Sequence, residues 1–343
     1  MATRMRRSTV GLLEIADLHN LAAAFHAAAR GKCGRGDVEE FRRNVDQELA
    51  ALRAGLLDGS LVLGRMRRFR IRDPKPRTIH APCFRERVLH HAVMAHVGPV
   101  LERSLGFDTY ACRTGKGALA AVKRAGMHLE RYQWYAQMDI RSYFASIDHA
   151  VLFGLLRRKF KDRALLALLA RIIATHRDAE GRGLPIGALT SQYFANFYLG
   201  GVDRLLVEGC RVHGFVRYMD DLVWWTHDRT AARAALATAR DYLEQTLRLE
   251  VKLPVQVGRS CHGISFCGYR ILPGRLLLSR RRRQRYRAIR KAAERCWQDG
   301  EIDARGLQSA YSTAWALTMH ADAAAWRRAE LRRRPLEPEL LAL

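Results

Sequence analysis

The sequence lacks the features that mark several large classes of protein. It contains no apolar run of about 18 or more residues, as a membrane-spanning helix would need. The basic start, Met1–Arg7, is not followed by an apolar signal core and a cleavage site. The seven cysteines are odd in number and form no Cys-x-x-Cys pair, which argues against a disulfide framework and a zinc site. These absences predict a cytoplasmic protein with no membrane partner.

Acidic residues are few relative to basic ones. Lys and Arg number 59 against 34 Asp and Glu, for a formal net charge of +25. Such an excess favours a polyanionic partner, because basic groups that neutralise phosphates release condensed counterions. Hydrophobic residues make up 48%, which indicates a globular chain. No internal repeat and no long linker is evident, so 343 residues predict two or three packed units.

The most informative segment is Tyr218-Met219-Asp220-Asp221, which is flanked on both sides by β-branched and aromatic residues. This pattern predicts two short strands joined by a tight acidic turn. Adjacent carboxylates repel each other unless a cation lies between them, and hard divalent cations prefer carboxylate oxygens. An ordinary polar hairpin turn is the alternative for this segment taken alone.

A third acid is expected if two metal ions are held, since both ions need carboxylate ligands. Asp139 ends a mostly apolar, strand-like run and has no helix to cap. Asp148 precedes a helical pattern, so it is interpreted as a helix N-cap instead of a ligand. Neither His90 nor His91 has an acid or a cysteine at ligand spacing, which favours packing or RNA contact over metal binding.

Together these segments resemble a reverse transcriptase. The resemblance covers roughly residues 65–275, and its motifs occur in the family's order. Besides Asp139 and the acidic turn, the matching blocks are Asp73-Pro74-Lys75-Pro76-Arg77-Thr78-Ile79, Phe84-Arg85-Glu86-Arg87-Val88-Leu89-His90-His91-Ala92, Tyr110-Ala111-Cys112-Arg113-Thr114-Gly115-Lys116-Gly117, Leu184-Pro185-Ile186-Gly187-Ala188-Leu189-Thr190-Ser191-Gln192 and Gly263-Ile264-Ser265-Phe266-Cys267-Gly268-Tyr269-Arg270.

The resemblance implies an α+β fold with the right-hand shape of polymerases. The fingers would comprise residues 1–134 and 158–185, and the palm, with an antiparallel sheet, residues 135–276. A short helical thumb would follow at 277–343. Helices are predicted at 14–30, 37–57, 84–103, 149–176 (as two), 190–208 and 229–248, with strands at 61–81 around the turn 73–76 and up to about 278.

The resemblance also implies roles for single residues. Asp139 and Asp220 would be the principal ligands of two Mg²⁺ ions in nucleotidyl transfer, with Asp221 ligating or tuning the pair. The predicted substrate-binding residues are Arg77, Lys75, Phe144, Ile186, Gly187 and Gln192. Arg72 and Lys252 are further candidates near the triphosphate, Lys252 as a general acid. The predicted primer grip consists of Phe266, Gly268 and Tyr269.

The very basic segment after residue 279 has two interpretations. Arg281, Arg283 and Arg285, here called the thumb arginines, either contact the primer–template duplex or form a solvated helix face. Tyr286 and Ile289 give this segment an apolar side, which favours the first interpretation. The stripe on the predicted 190–208 helix is interpreted as core, not as base-stacking residues; its members are Phe194, Phe197, Tyr198, Val202, Leu205 and Leu206.

The subgroup is indicated by Ile186-Gly187 and Ser191-Gln192, where many relatives carry Gln-Gly and Ser-Pro. This form resembles the reverse transcriptases of diversity-generating retroelements. It implies an enzyme that copies a template RNA into cDNA from deoxynucleotide triphosphates, with misincorporation opposite adenine. A ring-forming basic accessory protein is the implied partner. The alternatives are a retron-type or phage-defence reverse transcriptase and a catalytically inactive RNA-binding scaffold.

Overall fold

The computed structural model of the chain describes residues 7–72 and 76–334. Helices flank three antiparallel sheets, which confirms the predicted α+β class. Among the described residues, no helix is long and apolar enough to cross a membrane.

The N-terminal third is mainly helical. Its helices are α1 (Leu12–Ile15), α2 (Leu18–Ala29), α3 (Gly36–Arg43), α4 (Val45–Leu57), α5 (Phe84–Glu102) and α6 (Ala118–Arg131). The helices predicted at 14–30 and 37–57 are each divided in two. Asp17 starts a new helix because its side chain accepts a hydrogen bond from the Asn20 backbone N–H, and the second break falls at Asn44.

A two-stranded hairpin projects between α4 and α5. Its strands are β1 (Met66–Arg72) and β2 (Pro76–Pro82), in the antiparallel register Met66 to Pro82. The predicted turn at 73–76 therefore joins two strands, although residues 73–75 lie outside the described part of the chain. Nearly every residue of β1 is exposed.

The central sheet contains four strands in the order β4-β5-β3-β6, all antiparallel to their neighbours. The strands are β3 (Trp134–Ile140), β4 (Gly214–Tyr218), β5 (Asp221–Thr226) and β6 (Val251–Arg259). Consecutive strands β4 and β5 form a tight hairpin, and β5 pairs with β3 through Met138 opposite Leu222. This register brings the end of β3 and the β4–β5 turn to one edge of the sheet.

Helices pack against this sheet and enclose the main core. They are α7 (Tyr143–Ser146), α8 (His149–Arg157), α9 (Arg163–Ala174), α10 (Leu189–Tyr198), α11 (Gly200–Arg204) and α12 (Arg229–Gln245). Asp148 caps α8, as predicted, and Asp162 caps α9. The predicted 190–208 helix is divided into α10, α11 and a π-helical turn at Leu205–Gly209, and most of its apolar stripe is buried.

The C-terminal part consists of a small sheet and three helices. These elements are β7 (Ile264–Phe266), β8 (Tyr269–Leu272), β9 (Arg275–Leu278), α13 (Arg280–Gln298), α14 (Ala304–Ala316) and α15 (Ala324–Arg333). Not all arginines of α13 face solvent: Arg290 is buried and paired with Glu294 at 2.6 Å, and Arg287 pairs with Glu330. The first pair lies within α13 and the second joins α13 to α15, so part of this basic helix is structural.

Candidate active site

The acidic turn links β4 and β5 through two residues, Met219 and Asp220. Tyr218 pairs directly with Asp221, so the hairpin is as short as a two-residue loop allows. Met219 has φ 58°, in the left-handed region that a tight hairpin turn demands. The predicted strand–turn–strand structure is therefore present, and it places two consecutive, half-buried carboxylates at one edge of the sheet.

The third acid, Asp139, lies beside this turn because the β3–β5 register ends at the pair Met138–Leu222, and Asp139 and Asp221 are the next residue on each strand. The pKa of Asp220 is raised to about 6, mainly by burial and also by the nearby charge of Asp139 and a hydrogen bond between the two carboxyls. The sheet thus brings together two of the three predicted acids at hydrogen-bonding distance.

Asp221 is held differently. Burial raises its pKa to about 7, and the charges of Asp139 and Asp220 act in the same direction. Gln137 opposes this effect, because its Nε2 donates a hydrogen bond of 2.9 Å to Asp221 Oδ1. The same amide nitrogen lies 3.2 Å from the Ser265 carbonyl oxygen at the start of β7. Gln137 therefore links Asp221 to the β7–β8 hairpin.

Lys252 already supplies one cation to the acids. Its Nζ lies 2.6 Å from Asp139 Oδ2, since Lys252 is the cross-strand neighbour of Asp139 on β6. The hydrogen bond to Asp139 raises the pKa of Lys252. The sequence placed Lys252 near the triphosphate, whereas its contact in the structure is with a predicted metal ligand.

The chemistry of these side chains fits a divalent cation. The pKa values of Asp220 and Asp221 are raised mainly because the carboxyls are buried, and further because negative charges crowd one another there. In residues 7–72 and 76–334, no three His, Cys, Asp or Glu side chains are arranged to hold a single ion. Asp139 and Asp220 are thus the pair that the geometry offers, and Asp221 would have to turn from Gln137 to join them.

A buried arginine beneath the turn escaped the sequence analysis. Arg217 is 0% exposed, and its guanidinium holds both carboxylate oxygens of Asp203, at 2.6 and 2.7 Å. It also donates to the Asn196 side chain and, at 2.9 Å, to the Met219 carbonyl oxygen within the turn. The signal was available, because a charged residue inside the apolar run Phe215–Tyr218 must have a buried partner.

Arg77 lies on β2 and is exposed. Its positive charge lowers the pKa of Asp220, which shows that the hairpin places this guanidinium near the turn. Lys75 lies outside the described residues. Arg72 is opposite Pro76 at the far end of the hairpin and is exposed.

The loop before α10 is joined to the same hairpin. The His80 backbone N–H donates a hydrogen bond of 2.8 Å to the Ile186 carbonyl oxygen. Gly187 has φ +122°, and a Cβ at this position would lie 2.8 Å from Ile79 Cγ2 and 3.1 Å from the His80 carbonyl oxygen. Both facts require glycine here. Ile186 and Gly187 are therefore fixed against Ile79 and His80 of β2, the strand that carries Arg77.

Phe144 and Gln192 lie on the flanks of this region. Phe144 is half-buried on α7 and packs on the main core, and its carbonyl oxygen accepts a hydrogen bond of 2.8 Å from Leu184 N. Gln192 is exposed on α10, where its Oε1 accepts a long hydrogen bond of 3.7 Å from Cys112 Sγ. Of the two, Phe144 is tied to the Ile186 loop through the backbone.

The predicted primer grip is the β7–β8 hairpin, and its side chains point inward. Phe266 and Tyr269 are 2% and 3% exposed and belong to the smaller of the two cores. Gly268, with φ +79°, is the exposed member of the predicted set. The Arg282 guanidinium stacks 4.0 Å from the centre of the Tyr269 ring, which joins α13 to the hairpin.

The thumb arginines are exposed on α13 but do not share one face. Arg281 and Arg285 are one helical turn apart, whereas Arg283 projects from the opposite side. Arg283 lines a cavity of about 410 Å³ together with Trp326 and Arg270. A single duplex surface would therefore meet two of the three arginines, not all of them.

Known proteins that are similar to this chain agree with the predicted family. Residues 71–269 match the family described as "Reverse transcriptase (RNA-dependent DNA polymerase)". Protein YkfC of Escherichia coli (strain K12) is 28% identical over 174 residues, which is 47% of this chain and 46% of the relative. The group II intron-encoded protein LtrA of Lactococcus lactis subsp. cremoris is 23% identical over 204 residues, 56% of this chain and 34% of the relative.

The chain thus aligns with less than half the length of these two relatives. A solved structure of apo telomerase from Candida tropicalis, truncated from its C-terminal domain, is 11% identical with a TM-score of 0.44; the superposition covers 63% of this chain and 55% of the telomerase chain. The family match spans more than half of the 343 residues and includes all three predicted acids. The protein therefore belongs to the reverse transcriptase family.

Proposed function

We propose that the protein is an RNA-directed DNA polymerase. The observation that carries the proposal is the meeting of Asp139 and Asp220 at one edge of the central sheet, with the pKa of Asp220 raised to about 6. Crowded carboxylates of this kind are the ligands that nucleotidyl transfer needs. Arg77 lies near the same cluster and supplies a phosphate-binding guanidinium.

The proposed fingers comprise 1–134 and 158–185, the palm 135–276 and the thumb 277–343. In this division the palm holds the acids, and the β1–β2 hairpin of the fingers delivers Arg77 to them. Two Mg²⁺ ions, when bound, would lower the pKa of the attacking primer hydroxyl and offset charge on the leaving pyrophosphate.

The protein's own residues would fix the geometry of the reaction. Asp139 and Asp220 orient the reacting groups, and Arg77 binds the triphosphate of the incoming deoxynucleotide. Phe144 would pack under its sugar and exclude a 2′-hydroxyl. Arg217, by holding the Met219 carbonyl oxygen, keeps the acidic turn in its left-handed conformation. Lys252 is proposed to leave Asp139 when the site is loaded.

A template-primer extension assay tests this proposal. The wild-type chain should extend a DNA primer on an RNA template with Mg²⁺, and Asp220→Asn should not, because it keeps the shape of the side chain but removes its charge. RNA binding should persist in the variant. Near-normal extension by Asp220→Asn would remove the metal-ligand assignment, and no extension by the wild type would favour an RNA-binding scaffold.

The finer proposal is that the enzyme diversifies a target gene by copying a template RNA with errors at adenines. Ile186 supports it, because the backbone of this residue is tied to β2, the strand that carries Arg77, while its side chain can donate no hydrogen bond. Losing one hydrogen bond to the incoming nucleotide weakens discrimination between correct and incorrect nucleotides by about 1–3 kcal/mol. A·T pairs should suffer most because they have fewer base–base hydrogen bonds than G·C pairs. A ring-forming basic accessory protein is the partner expected with this function.

A second candidate is an intron-type reverse transcriptase, which is favoured by the similarity to the group II intron-encoded protein LtrA. Retron-type and phage-defence enzymes belong to the same alternative. Sequencing of cDNA made on one template decides between them. A diversifying enzyme should misincorporate mainly opposite adenine, and Ile186→Gln should reduce these errors while synthesis continues. Errors spread evenly over the four template bases, or equal spectra for both proteins, would favour the second candidate.

A further inference from the structure

The edge of the central sheet opposite the acids carries a cluster of arginines, two exposed histidine rings and the half-buried rings of Tyr132 and Trp134. Trp134 starts β3, five residues from Asp139, which corresponds to about 17 Å along a strand. Its cross-strand neighbours are Thr226 on β5 and Arg259 on β6. Arg229, in the first turn of α12, lies on the same side. The cluster is therefore separate from the acidic turn.

The basic groups of this cluster surround aromatic rings. The guanidinium carbons of Arg229 and Arg259 lie 5.7 and 5.5 Å from the centre of the Trp134 ring, and that of Arg131 lies 5.6 Å from the centre of the Tyr132 ring. These separations are wider than the 3.9 Å stack of Arg327 on Trp315 in the thumb. The rings at this edge are therefore flanked by cations without being tightly covered by them.

Two histidines extend the ring cluster. The rings of His213 and His227 are 4.2 Å apart, and their centres lie 5.6 and 5.5 Å from that of Tyr132. Both histidines are exposed. Behind them, Tyr132 stacks on the buried His128 ring at 5.8 Å, so the exposed rings rest on a packed support. Rigid rings lose little conformational entropy when a ligand stacks on them.

The arginines of the cluster have no acidic partner. Within the described ranges 7–72 and 76–334, none of Arg131, Arg229 and Arg259 has a carboxylate oxygen within 4.0 Å. The adjacent acid, Asp228, uses its carboxylate to cap α12 through the Ala231 N–H. Many other arginines of the chain, such as Arg217 and Arg290, are neutralised by acids. The charge at this edge is thus available to an anionic ligand.

We propose that Tyr132, Trp134, His213, His227, Arg229 and Arg259 form a second nucleic-acid site, here called the ring–arginine surface, which binds single-stranded RNA. Exposed rings bind the faces of unpaired bases, and neighbouring arginines bind the phosphates between them. A duplex hides its base faces, so it could use the arginines but not the rings. The choice of RNA over DNA rests on the proposed RNA-templated function. The site would hold a part of the RNA outside the primer–template duplex.

The probe for this surface is a fluorescein-labelled 12-nucleotide oligouridylate. Its binding is measured by anisotropy on protein already saturated with an unlabelled RNA–DNA hybrid, so that the polymerase channel is occupied. The hybrid-loaded wild-type protein should still bind the probe. Arg229→Gln/Arg259→Gln should weaken this binding about tenfold and lower the salt slope by about 1.4, since each single-strand phosphate contact contributes about 0.7. Trp134→Ala should weaken it by a similar factor.

The matched control is Arg157→Gln/Arg240→Gln, which removes the same charge from exposed positions outside the surface. It should change the affinity less than twofold. With 4-thiouridine in the probe, crosslinks should map to the peptide that contains Tyr132 and Trp134. The Arg229/Arg259 double variant should keep its primer-extension rate on a short hybrid, which separates this inference from the proposed polymerase function.

Three results would overturn the inference. They are failure of the hybrid-loaded wild-type protein to bind the probe, equal binding of the probe by the two double variants, and crosslinks that map only to residues near the acidic turn. A different outcome would assign the surface to a membrane instead. In that case the wild type binds phosphatidylserine vesicles but not the RNA probe, and Arg229→Gln/Arg259→Gln does not bind the vesicles.

Discussion

Replacing Asp220 by Asn should stabilise the metal-free protein while abolishing DNA synthesis. The pKa of Asp220 is about 6 in the folded chain against an ordinary value of 3.8. A difference of about two pH units corresponds to about 3 kcal/mol of unfavourable free energy when the carboxyl is ionised in the folded state. Asn keeps the size of the side chain and can donate a hydrogen bond to Asp139, so most of this cost should disappear.

The sign of the pH dependence follows from the raised pKa. Between about pH 4 and pH 6 the folded state binds more protons at this site than the unfolded state does, so its stability falls as the pH rises. The advantage of Asp220→Asn should therefore be absent below about pH 4 and complete above about pH 7. Urea denaturation in EDTA at pH 4 and pH 8 measures it, and we expect a gain of about 1–3 kcal/mol at pH 8 only.

The control is Asp46→Asn, which removes an exposed acid from the first turn of α4. It reports the general effect of deleting a negative charge from a chain with net charge +25. Adding Mg²⁺ should raise the stability of the wild type and not that of Asp220→Asn, because only the state that binds the ion is stabilised. Equal destabilisation of Asp220→Asn at both pH values would refute the claim that ionised Asp220 costs the folded state free energy.

Three further substitutions test neighbouring assignments. Phe144→Ala should raise ribonucleotide incorporation about tenfold or more in single-nucleotide extension if the ring excludes the 2′-hydroxyl; an unchanged ratio with lower stability would make Phe144 a core residue only. Gln137→Leu should shift the acidic limb of the pH–rate profile to higher pH, because the hydrogen bond from Gln137 lowers the pKa of Asp221. The control is Gln256→Leu, at the exposed cross-strand neighbour of Gln137, which should leave the profile unchanged. Replacing all thumb arginines by Gln should lower the salt slope of duplex binding by about 2 instead of 3, because one of them projects from the other side of α13. An unchanged slope would mean that this helix face is solvated and does not contact the duplex.

Local patterns in the sequence were sufficient for several features. The acidic turn, the strand with Asp139 next to its last residue and the caps Asp148 and Asp162 follow from short-range rules that depend on a few adjacent residues. The apolar stripe of the predicted 190–208 helix follows from spacing in the same way, whereas the α+β class was predicted from the resemblance to reverse transcriptases. Helix breaks at Asp17 and Asn44 were missed, because a cap inside an Ala- and Leu-rich run is a weak signal.

The sequence by itself determined which side chains could take part in catalysis, since acids, arginines and glycines are visible as residue types at recognisable spacings. Only the tertiary structure decided what each one contacts. It pairs Lys252 with Asp139 in a salt bridge, joins Asp221 to Gln137 by a hydrogen bond and buries Phe266 and Tyr269. It also assembled the ring–arginine surface from four separate segments. Such contacts join residues that are about 100 positions apart, and the strand register that creates them depends on the packing of the whole sheet.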